Sequence, residues 1–276
     1  MQATPQTPPR EFEFSDRDFE FLRKLVKEKA GIVLADHKRN MVYSRIARRF
    51  RALGLNRGED YVALLAKPNS VELPELLNAI TTNLTHFFRE NHHFEFLAQQ
   101  FSAGGRFNTA DRIRVWSAGC SAGMEPYSIA MTLCEALENK ARQVKILATD
   151  LDSTMLDRGR EGKYRLDDVE AIPTAYKKKY LHITPHGAQV QTQLRQMIHY
   201  KLLNLMQQSW PLKGPFQIIF CRNVMIYFDK ETQKVLVGKF AQLLQPGGFL
   251  IIGHSENVSG MHPNLKLIGR TIYEKS

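Results

Sequence analysis

The residues best suited to chemistry lie in a few short stretches. From Val115 to Ala130 (VWSAGCSAGMEPYSIA) a buried strand runs into a turn of small residues, Ser117 to Gly123, and then into a helix. A turn of this kind lets backbone approach a ligand, because side chains beyond Cβ would fill the space the ligand needs. The next apolar strand ends in Asp150. A glycine-bearing strand-turn-helix followed by an acid at the tip of the next strand is how α/β sheets hold a nucleoside, with the carboxylate on the ribose hydroxyls. The dinucleotide form needs G-x-G-x-x-G, whereas only Gly119 and Gly123 stand here, so the spacing points to an adenosine-type ligand without a pyrophosphate. Two blander roles stay open: Asp150 in Asp-Leu-Asp is good turn chemistry, and Glu125 is a first-turn carboxylate that stabilises a helix N-terminus by itself. His92-His93 has no second donor pair at metal-ligand spacing, so no metal is expected. His254, Ser255 and Glu256 imitate a hydrolase set, but there is no G-x-S-x-G elbow to carry a nucleophile.

Helices and strands must position these groups. Ser15 is a candidate N-cap with Asp16 and Asp18 in the first turn, and Phe19, Leu22 and Val26 follow at helical spacing. A second helix is expected over 37–53, and two shorter ones over 60–66 and 71–80, broken at Pro68-Asn69. After the connector 101–111 the pattern alternates: strand 112–116, helix 125–137, strand 144–149, helix 153–160, strand 216–221, helix 230–244, strand 248–253 and a closing strand 268–274. Such alternation implies an α/β fold with a mostly parallel, doubly wound sheet. Between Tyr164 and Asn204 the order lapses, and the alternating stretches 180–184, 189–193 and 197–201 suggest a small antiparallel β subdomain inserted at about 164–203. The expected domains are a disordered lead over 1–14, a helical domain over 15–95 and an α/β domain over 96–276.

The 276 residues carry a net charge of +10, with 43% hydrophobic and 24% charged residues, an ordinary soluble composition that favours a polyanionic partner. No apolar run approaches the roughly 20 residues of a membrane span, and the first residues lack the apolar core of a secretory signal. Three dispersed cysteines suggest neither a disulfide framework nor a metal site, which fits a reducing cytoplasm. In the second helix Val42, Ile46, Phe50 and Leu53 share one side, while Lys38, Arg45, Arg48, Arg49 and Arg51 gather opposite. No acid lies between Asp36 and Glu59 to pair with them. The stripe is therefore expected to dock an acidic partner, although a merely solvated face has the same pattern.

Five segments together go beyond pattern: TTNLTHFFRE (81–90), VWSAGCSAGMEPYSIA, ILATDLD (146–152), IIFCRNVMIYFDKETQ (218–233) and PGGFLIIGHSEN (246–257). From about Phe14 to Tyr273 the chain resembles the CheR family, the S-adenosylmethionine-dependent methyltransferases of bacterial chemotaxis receptors. The resemblance implies a Rossmann-like class I methyltransferase domain, an N-terminal all-helical domain and the inserted β subdomain. It implies methyl transfer to glutamate carboxylates of the receptors' cytoplasmic methylation region, by a cytoplasmic enzyme that neither inserts in the membrane nor binds nucleic acid; a monomer is the default expectation. By matching position, Asn83, Thr85 and Arg89 close over the cofactor, and Glu125 and Asp150 contact it beside Gly119. Asn204 and Leu205 lie on the adenine side, Arg222 and Asn223 at the end of the next strand, and Tyr227 near the transferred methyl. Arg89 or Tyr227 is the catalytic hydrogen-bond donor to the incoming carboxylate. That carboxylate, with a pKa near ~4.3, is already a nucleophile at neutral pH and needs no general base. The short turn 184–188, with Gly187 its only glycine, lacks the Gly-bearing loop with which some relatives grip a receptor tail peptide, so a tether-independent enzyme is expected. The rival, a nucleic-acid methyltransferase, would carry a Pro-Pro segment where Cys221-Arg222-Asn223-Val224 stands.

Overall fold

A computed structural model describes residues 11–137 and 143–276. It divides into two compact units, one ending at Thr81 and the other beginning at Thr82, earlier than the boundary near residue 95 expected from sequence.

The first unit packs four helices: α1 (Asp16–Ala30), α2 (Arg39–Leu53), α3 (Gly58–Leu65) and α4 (Glu72–Ile80). Ser15 caps α1 through a reciprocal pair: its hydroxyl accepts the Asp18 N–H at 3.2 Å, and the Asp18 carboxylate takes the Ser15 N–H at 2.7 Å. Leu22 and Val26 of α1 and Val42, Ile46 and Phe50 of α2 are buried in the core of this unit. Residues 1–10 of the expected lead lie outside the described residues, but residues 11–14 are ordered. The Phe12 ring stacks on Tyr43 and Phe50 with centroids 4.4 and 4.1 Å away, because an aromatic pair there hides apolar surface that the short α2 alone leaves open.

The cationic stripe on α2 is not unpaired. Arg49 grips Glu72 through Nε and Nη2 at 2.7 and 2.6 Å and reaches Glu75 at 3.2 Å. Glu72 is 3% exposed and also accepts a 2.9 Å hydrogen bond from the Tyr61 hydroxyl. Arg51 forms a fork with Glu11 at 2.8 and 2.7 Å, and Arg45 donates to the Ile80 and Thr81 carbonyls at the end of α4. Lys38 lies just before α2 in the 3-10 turn Asp36–Lys38. Arg48 stays exposed. The acids that neutralise the stripe come from 11, 72 and 75, far from it in sequence.

In the second unit, α5 (His92–Phe101) leads to β1 (Ile113–Ala118), α6 (Met124–Leu137), β2 (Val144–Asp150) and α7 (Ser153–Glu161). After the inserted segment come β6 (Ile198–Leu202), β7 (Phe216–Cys221), α10 (Lys230–Leu243) and β8 (Leu244–Ile252), then the hairpin of β9 (Leu265–Gly269) and β10 (Ile272–Lys275). The sheet order is β6-β2-β1-β7-β8-β10-β9, parallel from β6 to β8 and antiparallel beyond. Chain order reverses between β1 and β7, which opens a crevice at the C-terminal ends of those strands.

Two expectations are corrected here. The stretch 197–201 belongs to the main sheet as β6, parallel to β2, and the inserted sheet consists of β3 (Lys163–Tyr164), β5 (Gly187–Val190) and β4 (Leu181–Thr184), with the short helix α8 (Thr174–Tyr180) against β4, while α9 (Thr192–Met197) packs on α6 and the main sheet. The closing strand is a hairpin, turned at Arg270 and Thr271, both with positive φ.

The ion pair of Arg49 yields a test. Arg49→Ala strands the buried Glu72 carboxylate and should cost about 3–5 kcal/mol in urea unfolding. Arg48→Ala should stay within about 0.5 kcal/mol of the parent.

Candidate active site

The parallel strands deliver the candidate residues to one edge: Gly119 follows β1, Asp150 ends β2, Asn204 follows β6 by two residues, and Arg222-Asn223 follows β7. The turn after β1 is pinned by β2, since the Gly119 and Cys120 N–H groups both donate to the Thr149 carbonyl, at 2.7 and 2.9 Å. Gly119 has φ 81°, and a Cβ there would lie 2.3 Å from the Val224 side chain. The glycine is thus required by the neighbouring loop as well as by any ligand. Gly123, at φ 88°, lets the start of α6 approach α7, where a Cβ would fall 2.9 Å from Gly159 Cα.

Asp150 locks this turn. Its Oδ2 accepts the Ser121 N–H at 2.7 Å and its Oδ1 the Asp152 N–H at 2.9 Å. Burial pushes its carboxyl above the usual range, against the lowering effect of these N–H donors. The turn role left open for Asp150 is realised in its Oδ1 bond to the Asp152 N–H, and Asp152 in turn caps α7, its side chain accepting the Thr154 and Met155 N–H groups. Asp152 Oδ2 also accepts from the Asn83 amide at 2.8 Å, and the Ser121 hydroxyl donates to the Asn83 carbonyl at 3.2 Å. Asn83, the Gly turn and the β2 tip form one cluster.

A second cluster centres on Arg222. Its guanidinium is 2% exposed and donates to Glu125 Oε2 at 3.0 Å, lies 3.3 Å from Glu90, and donates to the Arg89 carbonyl. The other oxygen of Glu125 accepts from the Ser117 hydroxyl at 2.7 Å. The Arg222 side chain therefore turns inward, tying the Arg89 segment to β7 and α6, and leaves the backbone of 222–223 at the edge. Arg89 points its own guanidinium to the Leu84 carbonyl at 3.0 Å. Burial opposes ionisation of Glu90, but the Arg222 charge and the His254 hydrogen bond hold it down at about 2. His254 contributes a backbone N–H and Nδ1 to that carboxylate, both at 3.1 Å, which is its role in place of any hydrolase chemistry.

Tyr227 ends the 3-10 turn Met225–Tyr227 and is partly exposed. Its loop is held by Glu256, which the sequence offers only as part of a rejected hydrolase set. Glu256 is buried and accepts the N–H groups of Gly253, Asn223 and Ile226 at 2.6, 2.9 and 3.2 Å. Burial raises its carboxyl despite these donors. The signal available in sequence was an acid three residues after a glycine that closes an apolar strand. Thr85 borders a cavity of about 410 Å³ with Met124, Asp167 and Asp168. Leu205 is buried in the core beside Leu203 and Trp116.

Glu90, His92 and His93 bring donor atoms within 4.8 Å of one another, a grouping that sequence spacing did not suggest. The Glu90 carboxylate is engaged by Arg222 and His254, and the Arg222 charge opposes a metal cation there. His93 is fully buried, with Nε2 3.0 Å from the Arg270 carbonyl. Burial and the Arg222 charge lower its pKa to about 4.

The edge thus presents carboxylate, amide and backbone groups around a glycine turn at the sheet's switch point. Asp150 keeps lone pairs beyond those used by its two N–H donors, and this acceptor capacity fits the hydroxyls of a ribose.

Comparison with known proteins supplies the context. The family description "CheR methyltransferase, SAM binding domain" matches residues 83–273, and "CheR methyltransferase, all-alpha domain" matches 17–81. The chemotaxis protein methyltransferase of Klebsiella aerogenes is 44% identical over 265 residues, covering 94% of this chain and 89% of that protein. Those of Salmonella typhimurium and Escherichia coli are 44% and 42% identical over 267 residues, covering 95% of this chain and 91% and 92% of theirs.

Two predictions arise from the Arg222 cluster. Arg222→Ala leaves Glu90 and Glu125 facing each other unpaired and should lower stability by about 3–5 kcal/mol, read by thermal or urea unfolding. On acidification, His93 (about 4 folded, 6.5 unfolded) takes up its proton preferentially in the unfolded chain, so stability falls as pH drops from 6.5 toward 4. Glu90, held at about 2, adds a further loss below its ordinary 4.5. His93→Gln should remove the loss between pH 6.5 and 4 and leave the lower one, measured as urea midpoints across pH.

Proposed function

We infer the reaction from one premise: the chain belongs to the CheR family of methyltransferases, and it is an S-adenosylmethionine-dependent enzyme. Its substrate is a glutamate carboxylate in the cytoplasmic methylation region of a chemotaxis receptor, converted to a methyl ester. The observation that carries this reading is the joining of the Arg89 segment, the Gly turn and the Arg222–Tyr227 loop by buried polar bonds at one sheet edge.

When bound, S-adenosylmethionine supplies a methyl group activated by a sulfonium. Asp150 and Asn204 are suited to its nucleoside, and Asn83 and the turn at Gly119 enclose the same edge. The chain's own contribution is position and charge. A glutamate carboxylate is ionised at neutral pH, so no base is required, and alignment of reacting groups can be worth roughly 7–11 kcal/mol. Arg89 and Tyr227 are the donors to one carboxylate oxygen, which leaves the other free to react. The Arg89 carbonyl is fixed by Arg222 and the Tyr227 loop by Glu256, so both donors stand on supported backbone.

The helical unit supports docking. Its exposed cation Arg48, with the partly paired basic groups around it, suits an acidic helical surface, and the attraction weakens with salt. No described helix is long and apolar enough to cross a membrane. The two-residue turn Pro185-His186 between β4 and β5 is short, which supports an enzyme that works without a receptor tail tether; its oligomeric state is taken as monomeric.

Incubation with radiolabelled S-adenosylmethionine and receptor-containing membranes should place base-labile label on a membrane protein. Label that resists base, or that enters RNA, overturns the reading. Arg89→Ala and Tyr227→Phe should lower turnover by roughly 10²-fold or more with cofactor affinity little changed. Equal losses in both quantities would move these residues to cofactor binding.

A further inference from the structure

The strands of a parallel sheet are ordinarily covered on both faces, and here two of them are not. On one face of β2 and β6, Ile146, Ala148, Ile198 and Tyr200 are buried in the larger core. On the other face the register lines up Arg114 beside Lys145, Leu147 beside His199, and Thr149 beside Lys201. Lys145, His199 and Lys201 are exposed. The reason is local: the crossover from β6 to β7, residues 203–215, contains no helix to lie over this half of the sheet.

The uncovered face is a cavity of about 500 Å³, within the range of small-ligand sites. Its apolar lining includes Leu147, Leu202, Pro211 and Leu212, with Phe216 3% exposed behind them. The 213–214 segment is fastened by Arg114, which donates to the Lys213 and Gly214 carbonyls and lies over the Phe216 ring, 4.9 Å from its centroid. Lys145, Lys201, Lys213 and His199 surround the opening, no acid lines it, and none of these four has an acidic partner among the described residues. None of the residues placed at the cofactor edge lines it either.

We propose that this cavity is a second ligand site, for a compact polyanion that carries phosphates on an aromatic body, the chemistry of a nucleoside di- or triphosphate. Unpaired lysines around the mouth match several phosphate charges. The apolar lining and the Arg114 guanidinium lying over Phe216 match a flat ring. Concavity favours a small molecule over an acidic helix, which would need an open groove. The site is independent of methyl transfer, so its failure leaves the proposed reaction untouched.

The test is isothermal titration of the full chain with ATP and GTP, under saturating S-adenosylhomocysteine so that the adenosine site is closed. One nucleotide should bind per chain, more tightly than inorganic tripolyphosphate, with affinity falling as salt rises. The double change Lys145→Ala/Lys201→Ala removes two exposed cations without acidic partners, so the fold should hold, and should weaken binding about tenfold. Absence of saturable binding, binding indifferent to the double change, or tripolyphosphate binding as tightly as nucleotide would each overturn the proposal. So would a glutamate-rich peptide that displaces the nucleotide, since the surface would then be a protein-docking face.

Discussion

The candidate site depends on one buried cation. Arg222 stands at the end of β7 with a guanidinium 2% exposed and two carboxylates, Glu90 and Glu125, against it. An unpaired charge at such a place would be prohibitive, and the pair alone is weak evidence of stability. What Arg222 secures is geometry. The same planar fork that neutralises Glu125 from α6 and Glu90 from the segment before α5 also donates to the Arg89 carbonyl. Three stretches distant in sequence thereby share one fixed origin, and Arg89 and the loop toward Tyr227 are placed relative to it.

A common device recurs around this origin: a buried carboxylate serving as acceptor for backbone N–H groups. Asp150 holds Ser121 and Asp152, Asp152 holds the start of α7 and Asn83, and Glu256 holds Gly253, Asn223 and Ile226. Loops at a sheet edge cannot satisfy their N–H groups by ladder pairing, and an unsatisfied buried donor is costly. A carboxylate, with its two oxygens and several lone pairs, can serve two or three at once. The cost appears in the raised carboxyl pKa of Asp150 and Glu256, where burial outweighs the N–H donors.

How far the sequence could be read follows from which interactions are local. The strand-turn-helix at 113–137, the acid at 150, the cap at Ser15 and the strand 216–221 rest on hydrophobic period and short-range capping, and all were visible. The alternation at 197–201 was visible too, but not its partner. Parallel pairing with β2 and antiparallel pairing with the inserted sheet demand the same pattern, and only the fold decides. The C-terminal hairpin escaped because its two turn positions, Arg270 and Thr271, occupy positive φ where glycine or asparagine is usual, and the one glycine, Gly269, stands just ahead of them. The arginine stripe on α2 misled for a related reason. Charges were compared along the helix, whereas Glu72 and Glu75 approach from α4 and Glu11 from the preceding segment. Arg222 was marked by the family resemblance of the segment 218–233, and its inward side chain could not be foreseen from that mark.

The same contrast bears on the net charge of +10. In the helical unit much of the basic stripe is spent internally, on Glu72, on Glu11 and on the carbonyls closing α4. On the open half of the sheet the situation is reversed: the strands that bury Ile146 and Ile198 on one face carry Lys145, His199 and Lys201 on the other, with no acid opposite. Charge that is paired across elements belongs to the fold and contributes little to a long-range field, because each pair is close to neutral at a distance. Charge left unpaired over a low-dielectric apolar floor projects outward and is focused by the cavity walls. Net charge therefore predicts partners only after the paired residues have been subtracted, and on this chain that subtraction moves attention from α2 to the face of β2 and β6.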